Sequence, residues 1–572
     1  MCKTIVLAAL LLWCYAAPAK PTEFTTSGRV EYATLRNGKV MEKGGKLLLH
    51  YAGDLARLQA DQSNKDLIPE VPRQYDFIDY GQAKVFRQAT FMDGASYFST
   101  TDVQPLEGFK AEGSAEEILG YTCQKYTGSS FSNKIELWVT TEAGIQGSPM
   151  TGFVWPGGLV LKYQRNDNAG WQATAVTLDK KNKTPLSLMP ASMGTEISQL
   201  EFSQRLANAF VKTIPVFTRQ QISWGATINN PKGEYTDSVY RFAGGTIALK
   251  RVKLPPAPDG STVFAELTEQ SNGDAYDRTG SVFLVPTGKA RSFLEGLKNG
   301  VGSLPHLTGK DGKVYQGIVK TADYDPLIEL MRFFTPFGVR HFNDKRNVGI
   351  AWDDSVSYKT DLSDLLPLLR GEVWIGVFVG NYDKGGHTVS LNLKYYLNEQ
   401  EKPQSPDKKF WAEPVFNTTN VMEMAGQEYG TLFGTDTLTV EFEVPEGIKT
   451  VNFRYITTGH GGWGGGDEFV PKKNELFIDG TPFFTFTPWR VDCGTYRASN
   501  PASGNFWNGL SSSDYSRSGW CPGTVSYPYF TSISGLAPGK HRIHVFIPQG
   551  ERDGGSFSAW NISGLFYGEY QE

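Results

Sequence analysis

Alternation of apolar and polar residues constrains the fold of this chain more than any other feature. From Leu438 to Val444 every second residue is apolar, and Thr or Glu fills the positions between. The segment from Val389 to Tyr395 alternates in the same way. Side chains of a β-strand point alternately to its two faces, so a period of two indicates half-buried strands.

Helical patterns are short by comparison, and we predict them only at 198–210, 288–297 and 362–369. The segment 476–483 is predicted to form a hairpin, with Asp479-Gly480 as its two-residue turn. The chain is rich in glycine, with 62 residues, and in aromatic residues, which make up 13% of it. This combination of short strands and many turns predicts an all-β protein.

The length of 572 residues exceeds what one hydrophobic core supports, so several domains are expected. Polar and proline-containing stretches at 178–190 and 398–409 mark the expected boundaries. The predicted division is a signal peptide at 1–19, a β-rich N-terminal domain at 21–190, a helical linker at 191–213, and two antiparallel β-sandwiches at 214–400 and 410–570.

The first residues predict export. Lys3 precedes the apolar run 5–12, and Ala17-Pro18-Ala19 follows as a small-residue cleavage site. The run is too short to cross a bilayer, and no later segment is long and apolar enough to do so. Cys14 suggests a lipoprotein, but Trp13 stands where a small residue is usual, so lipid anchoring is not expected. We predict a periplasmic or secreted protein without a membrane span.

Cysteine usage fits an oxidising compartment. Removal of the signal peptide leaves Cys123, Cys493 and Cys521, of which Cys493 and Cys521 are the natural disulfide pair. Cys123 is interpreted as a small buried side chain on a strand. The spacing of cysteines and histidines matches no metal site, so we expect neither a metal nor another cofactor. A net charge of −4 with mixed signs gives no sign of nucleic-acid binding.

Three segments carry candidate chemistry. The first, 273–285, places Asp277 between Tyr276 and Arg278 just before a strand. The second, 460–469, is a glycine-rich loop that ends in Asp467, Glu468 and Phe469. The third, 517–523, contains Arg517 and Trp520 beside Cys521. Carboxylates, guanidinium groups and aromatic rings together suit a site that binds a sugar and hydrolyses a bond.

In this order the segments resemble the bacterial peptide-N-glycosidase F family, whose members release N-linked glycans from asparagine. The motifs that carry the resemblance are Tyr276-Asp277-Arg278, Arg332-Phe333-Phe334-Thr335-Pro336-Phe337, Glu468-Phe469 and Arg517-Ser518-Gly519-Trp520-Cys521-Pro522-Gly523. The resemblance covers about 214–570. It implies two adjacent jelly rolls, the first carrying Asp277 and the second Glu468, with the active site in the cleft between them.

The resemblance also implies roles. Asp277 would be the general base that activates water, Glu468 would hold the water or relay a proton to the leaving group, and Arg278 would fix Asp277 and bind carbonyl or sugar oxygens. Core packing remains an alternative for Phe334 and Phe337, and support of a loop remains an alternative for Arg517 and Trp520. The residues expected to bind substrate are Tyr276, Phe334, Phe337, Tyr382, His460, Trp463, Phe469, Arg517 and Trp520.

The chain departs from the family pattern in two ways. Cysteine pairs that flank the equivalents of Asp277 and Glu468 in related enzymes are missing, so these loops must be held by other means. A third acidic residue expected on the strand 372–380 is replaced by Gly380, and Tyr382 or Asp383 is a candidate for its glycan contacts.

Three functions therefore remain open at this stage. The leading one is an amidase that acts on N-glycoproteins or glycopeptides. The second is a glycoside hydrolase, because two carboxylates across a cleft also cleave glycosidic bonds. The third is a glycan-binding protein without catalysis, because jelly rolls commonly bind sugars and a fold does not fix a function.

Overall fold

The computed structural model of the protein describes residues 27–41, 44–61, 72–104, 106–179, 188–258, 260–345, 349–398, 410–461, 465–552 and 556–570. The predicted signal peptide at 1–19 lies outside the described residues. The chain divides into two compact units, Met1–Phe210 and Val211–Glu572. No helix in the described part of the chain is long and apolar enough to cross a membrane.

The first unit is a single large sheet built around a core that includes Val30, Leu49, Ile78 and Trp138. Its strands run in the order β14-β7-β6-β5-β4-β3-β1-β13-β12-β11-β10-β8, with β2 added beside β1 and β9 beside β10. The strands are β1 Ser27–Arg36, β2 Lys39–Val40, β3 Lys46–Ala52, β4 Leu55–Ala60, β5 Arg73–Asp79, β6 Lys84–Thr90, β7 Ser96–Asp102, β8 Lys110–Ala111, β9 Glu116–Ile118, β10 Tyr121–Ser130, β11 Asn133–Thr140, β12 Leu159–Arg165, β13 Ala169–Asp179 and β14 Thr195–Glu196.

Helix α1, Gln199–Ala209, closes the first unit and confirms the helix predicted at 198–210. The Ser198 hydroxyl caps it by accepting a hydrogen bond from the Glu201 backbone N–H. Phe202 is buried, and Glu201 pairs with Arg205 one turn later at 2.9 Å. The helix thus belongs to the same compact unit as the large sheet.

The second unit begins with a jelly roll of two antiparallel sheets, in the orders β15-β25-β18-β23 and β16-β17-β24-β19-β22-β31, where β31 is Val525–Ser526 from the C-terminal half. Between them lies a core of mainly aliphatic side chains, and the alternating residues of β25 bury Val389, Leu391 and Leu393 as predicted. The elements are β15 Val211–Ile222, β16 Val239–Phe242, β17 Ile247–Leu254, β18 Thr262–Ser271, β19 Thr279–Val285, α2 Phe293–Asn299, β20 His306–Thr308, β21 Val314–Gln316, β22 Ile328–Phe334, β23 Val356–Asp361, β24 Gly371–Val379 and β25 His387–Tyr396.

The second jelly roll packs the sheet β26-β34-β28-β32 against the sheet β27-β33-β29-β30. Burial alternates without exception along the strand predicted at 438–444. The predicted hairpin is present, and Asp479 and Gly480 adopt φ of 50° and 81°, as its tight turn requires. The strands are β26 Phe410–Asn417, β27 Leu438–Val444, β28 Val451–His460, β29 Asn474–Ile478, β30 Thr481–Phe486, β32 Tyr529–Ile533, β33 Gly539–Phe546 and β34 Ala559–Glu569.

The remaining helical segments are short. The helix predicted at 288–297 forms only from Phe293 onward, and the segment predicted at 362–369 is a 3₁₀ helix. The 3₁₀ helices are Ala243–Gly245, Val301–Ser303, Asn343–Lys345, Ser363–Leu368, Glu423–Ala425, Leu432–Gly434, Cys493–Ser499 and Ser512–Asp514. The predicted all-β class is confirmed.

The two jelly rolls are joined through β22. Strand β31 from the C-terminal half adds to the edge of the first jelly roll, where Arg332 pairs with Ser526. The fully buried Arg332 guanidinium also donates to the Thr458 hydroxyl at 3.1 Å and to the Thr419 hydroxyl at 2.8 Å. A buried cation with several acceptors holds its neighbours in a fixed geometry. Strand β22 leads directly into the wall of the cleft described next.

Candidate active site

A cleft of about 630 Å³ lies between the two jelly rolls. Asp277 reaches it from the segment before β19, and Glu468 reaches it from the loop between β28 and β29. The structure therefore brings together two carboxylates that are far apart in sequence. The lining residues are Ala275, Tyr276, Asp277, Phe337, Phe342, Glu468, Phe469, Ala502, Gly504, Asn505, Phe506, Ser512, Arg517 and Ser556.

Arg517 links the two carboxylates. Its Nη1 atom lies 3.1 Å from Asp277 Oδ2 and also contacts Glu468 Oε1. Its Nη2 atom donates to the Ser512 carbonyl at 2.7 Å. The Arg517 side chain is 1% exposed. A guanidinium with these contacts fixes both carboxylates relative to each other.

The same contacts set the electrostatics of the pair. Burial raises the pKa of the Asp277 carboxyl, and the charge of Arg517 opposes this rise. Burial and the neighbouring Asp277 charge raise the pKa of Glu468 to about 7, again against the influence of Arg517. Two carboxylates held close together in a poorly solvated site resist simultaneous ionisation. Glu468 can therefore change its protonation state near neutral pH.

The Glu468 loop is anchored by its neighbour Asp467. The fully buried Asp467 carboxylate accepts a hydrogen bond from Trp560 Nε1 at 2.7 Å and from the Gly550 N–H at 3.0 Å. The Glu468 carbonyl accepts from the Ser518 N–H at 2.9 Å, which ties the loop to the segment that carries Arg517. Glu468 thus faces the cleft from a backbone that is held on both sides.

Arg278 does not contact Asp277, contrary to its expected role of fixing this carboxylate. Its Nε atom donates to Asp274 Oδ2 at 2.7 Å. The guanidinium lies over the rings of Tyr276 and Tyr382, at 5.0 and 5.4 Å from their centroids. Burial raises the pKa of Asp277, and the Arg278 charge opposes this rise after that of Arg517, but the side-chain hydrogen bonds of Arg278 go to Asp274. The cation beside Asp277 is Arg517.

Two residues expected to contact substrate are buried instead. Phe334 is 0% exposed and Trp520 is 3% exposed. Their rings stack on each other with centroids 4.2 Å apart, and His460 packs against both. Burial and the charges of Arg332 and Arg517 lower the pKa of His460 to about 3. The structure corrects the expectation for Phe334 and Trp520: these rings support Arg517, which lies 4.4 Å from the Trp520 ring.

Aromatic side chains form much of the cleft wall. Tyr276, Phe337 and Phe469 lie there as expected. Phe342 and Phe506 were missed because neither belongs to a motif. The disulfide between Cys493 and Cys521 is confirmed and closes the segment that supplies Phe506 and Arg517. The glycine and aromatic residues of 502–507, within the segment that the disulfide closes, were the sequence signal that could have identified Phe506.

Tyr382 and Gly380 lie beside a carboxylate that sequence reasoning did not consider. Glu423 accepts hydrogen bonds from the hydroxyls of Tyr382 and Tyr429. Its Oε2 atom is 3.2 Å from the position that a Cβ on Gly380 would occupy. Glu423 therefore places an acidic group where a side chain from residue 380 would point. The segment 462–464, with the expected Trp463, lies outside the described residues.

Over the ranges that the structure describes, no group of three or more His, Cys, Asp or Glu side chains could hold a metal ion. Among the described residues, the acidic and basic side chains that line the cleft are Asp277, Glu468 and Arg517. Together they offer a buried base, a group that titrates near neutral pH and a fixed positive charge. This set suits hydrolysis by an activated water molecule.

Comparison with protein families identifies three matching regions. Residues 213–395 match Peptide-N-glycosidase F, N terminal, and residues 428–567 match Peptide-N-glycosidase F, C terminal. Residues 30–202 match the family described as N-glycanase peptide, N-terminal domain. A search of curated proteins finds no match.

Solved structures show the same similarity. A structure of PNGF-II is 41% identical, covers 96% of this chain and 100% of its own, and has a TM-score of 0.73. A second crystal form of PNGF-II has the same identity and a TM-score of 0.64, covering 96% of this chain and 99% of its own. PNGase F, a glycosylasparaginase from Flavobacterium meningosepticum, is 15% identical over 63% of this chain and 96% of its own, with a TM-score of 0.42.

Proposed function

This chain belongs to the peptide-N-glycosidase F family, and we propose that it is an amidohydrolase that releases intact N-linked glycans from asparagine. The substrate bond is the amide between the asparagine side chain and the first N-acetylglucosamine. The observation that carries the proposal is the pair of carboxylates, Asp277 and Glu468, that share Arg517 in the cleft. The expected partners are N-glycosylated proteins or glycopeptides.

Asp277 is the proposed general base. The Arg517 charge favours its ionised form at neutral pH, and burial raises its pKa and so its basicity. Asp277 takes a proton from water while the water oxygen bonds to the amide carbon. The C–N bond then breaks as the same proton passes to the leaving nitrogen. The products are aspartate and a glycosylamine, which loses ammonia in solution.

Glu468 is the proposed acceptor that orients the water. It shares Arg517 Nη1 with Asp277, so a water molecule between them can donate one hydrogen bond to each carboxylate. This role requires ionised Glu468, whose pKa is about 7. We expect kcat to rise as the pH increases through about 7. The aromatic wall limits competing water, which strengthens these interactions.

The sugar is proposed to lie against the aromatic wall and the rim near Arg278. Tyr276 is 61% exposed, and Tyr382 is 54% exposed. Aromatic faces bind the apolar faces of sugar rings, while Arg278 and Glu423 offer a donor and an acceptor for hydroxyl groups. Glu423 is the proposed replacement for the acidic residue missing at Gly380.

Export is part of the proposal. The disulfide Cys493–Cys521 fits a protein that works in an oxidising compartment, where such bonds persist. N-glycoproteins outside the cell would then be accessible substrates.

Product analysis of a denatured N-glycopeptide tests the proposal. The expected result is release of the whole glycan, with asparagine converted to aspartate. A peptide that keeps one N-acetylglucosamine would instead show glycosidase activity, and glycan binding without turnover would show a lectin. Asp277→Asn should abolish release, whereas the exposed Asp237→Asn in the same jelly roll serves as the matched control and should retain it.

A further inference from the structure

A buried ionic network lies behind Asp277 and plays no part in the proposed chemistry. Its centre is His387, the first residue of β25, which is fully buried. His387 Nδ1 lies 2.8 Å from Glu269 Oε1, and Nε2 lies 3.4 Å from Asp274 Oδ2. Glu269 is 0% exposed and Asp274 is 3% exposed. One imidazole thus joins two carboxylates out of contact with water.

Asp274 connects this network to the segment that carries Asp277. Its Oδ1 atom accepts a hydrogen bond from the Tyr276 N–H at 3.1 Å. Its Oδ2 atom accepts from Arg278 Nε at 2.7 Å. The Asp274 carbonyl accepts from the Ser271 hydroxyl at 2.6 Å. The residues on both sides of Asp277 are therefore bonded to one carboxylate.

Thr335, which follows β22, holds the Asp277 segment from the side opposite Asp274. Its hydroxyl accepts from the Arg278 N–H at 2.8 Å and donates to the Tyr276 carbonyl at 3.1 Å. Its own N–H donates to the Arg278 carbonyl at 2.9 Å. Asp277 is thus presented by a backbone that Asp274 and Thr335 hold from two sides. No cysteine lies between Cys123 and Cys493, so no disulfide can close this loop.

Both ring nitrogens of His387 face a carboxylate oxygen, an arrangement that suits a charged imidazole. Burial raises the pKa of Glu269, and the hydrogen bond and charge of His387 oppose this rise. Only His387 with both ring nitrogens protonated can donate to Glu269 and Asp274 together. Burial disfavours this charge, but the two carboxylates outweigh it and raise the pKa of His387 to about 9. Burial likewise opposes ionised Asp274, yet His387 and Arg278 lower its pKa to about 2. Tyr358 on β23 also faces this cluster, and burial and the Glu269 charge raise its pKa.

We propose that His387 is a positioning residue. It holds Asp274 in place, and Asp274 in turn fixes the orientation of the Asp277 carboxylate toward the attacking water. The inference rests on the proposed function, because it assigns His387 to the placement of the proposed base. His387 is fully buried and is not among the residues that line the cleft. Loss of its charge would leave two buried carboxylates without their shared donor and loosen the loop.

His387→Gln in the full chain tests the proposal with two readouts. Hydrogen exchange of the peptide that spans 272–278 should speed up about tenfold or more, while the other strands of the first jelly roll change little. With a glycopeptide substrate, kcat should fall by about 100-fold with KM nearly unchanged, since a misplaced base impairs the chemical step. In the parent, kcat should also fall as the pH rises through about 9, because His387 then loses its charge. The kcat of the variant should show no such fall near pH 9.

Leu391→Ala is the matched control, because Leu391 is fully buried on the same strand and lies outside the network. It should lower stability through a cavity without a selective effect on 272–278 or on kcat. If His387→Gln does not fold, Asp274→Asn, which keeps the side-chain shape, takes its place. Unchanged exchange at 272–278, or a uniform increase that matches Leu391→Ala, would overturn the proposal. An inactive parent would refute the proposed amidase, while the exchange experiment would still decide the role of His387.

Discussion

Replacement of Glu468 by glutamine should stabilise the protein at alkaline pH while it removes most activity. Burial raises the pKa of this carboxyl from 4.5 to about 7, and its side chain is 20% exposed. At about 1.4 kcal/mol for each pH unit, ionised Glu468 costs the folded state about 3 kcal/mol. The pKa of Glu468 is higher in the folded state than in the unfolded state. The contribution of protonated Glu468 to the free energy of unfolding is therefore fully present below pH 4.5 and is lost as the pH rises to about 7. Glutamine carries no charge and avoids the loss.

The assay is chemical denaturation of parent and variant at pH 5 and pH 8.5. Glu468→Gln should gain up to about 3 kcal/mol in the free energy of unfolding at pH 8.5 and much less at pH 5. Glu441→Gln is the matched control, because Glu441 is 63% exposed and pairs with Arg542 at the surface. It should show no such pH-dependent gain. A Glu468→Gln variant less stable than the parent at pH 8.5 would show that ionised Glu468 does not destabilise the folded state.

Arg517, Glu423 and the disulfide can each be tested by a single change. Arg517→Lys should lower kcat by about 100-fold, because an ammonium cannot hold both carboxylates and the Ser512 carbonyl in a fixed plane; a kcat near that of the parent would contradict this role. Glu423→Gln should raise KM severalfold with a smaller change in kcat, measured by steady-state kinetics on one glycopeptide, and an unchanged KM would remove Glu423 from the sugar site. Reduction of Cys493–Cys521 should cost roughly 3 to 4 kcal/mol of stability, as judged by denaturation with and without reductant, and an equal midpoint would show that the bridge adds no stability.

Much of the fold could be predicted because strand periodicity is local information. The alternation at 438–444 specifies which residues are buried, and Asp479-Gly480 specifies the turn of its hairpin. Helix length was less predictable: only the second half of 288–297 is helical. The disulfide partner followed from the small number of cysteines.

Side-chain direction in the site could not be predicted in the same way. Arg278 is adjacent to Asp277 in sequence, yet the cation that contacts Asp277 is Arg517, 240 residues later. Phe334 and Trp520 belong to motifs beside the cleft, but their rings are buried in a stack. Glu423 reaches the rim from a 3₁₀ helix without any motif. These placements depend on contacts between distant strands, which no local pattern encodes.

Hydrolysis of an N-glycopeptide in heavy-oxygen water, followed by mass spectrometry of the peptide, is the decisive test of amide cleavage at the site that Asp277 and Glu468 form. Attack of water on the amide carbon predicts complete glycan release and aspartate with one heavy oxygen, in the parent and in Asp237→Asn but not in Asp277→Asn. A peptide that keeps N-acetylglucosamine, or aspartate without the heavy oxygen, would contradict the proposed reaction.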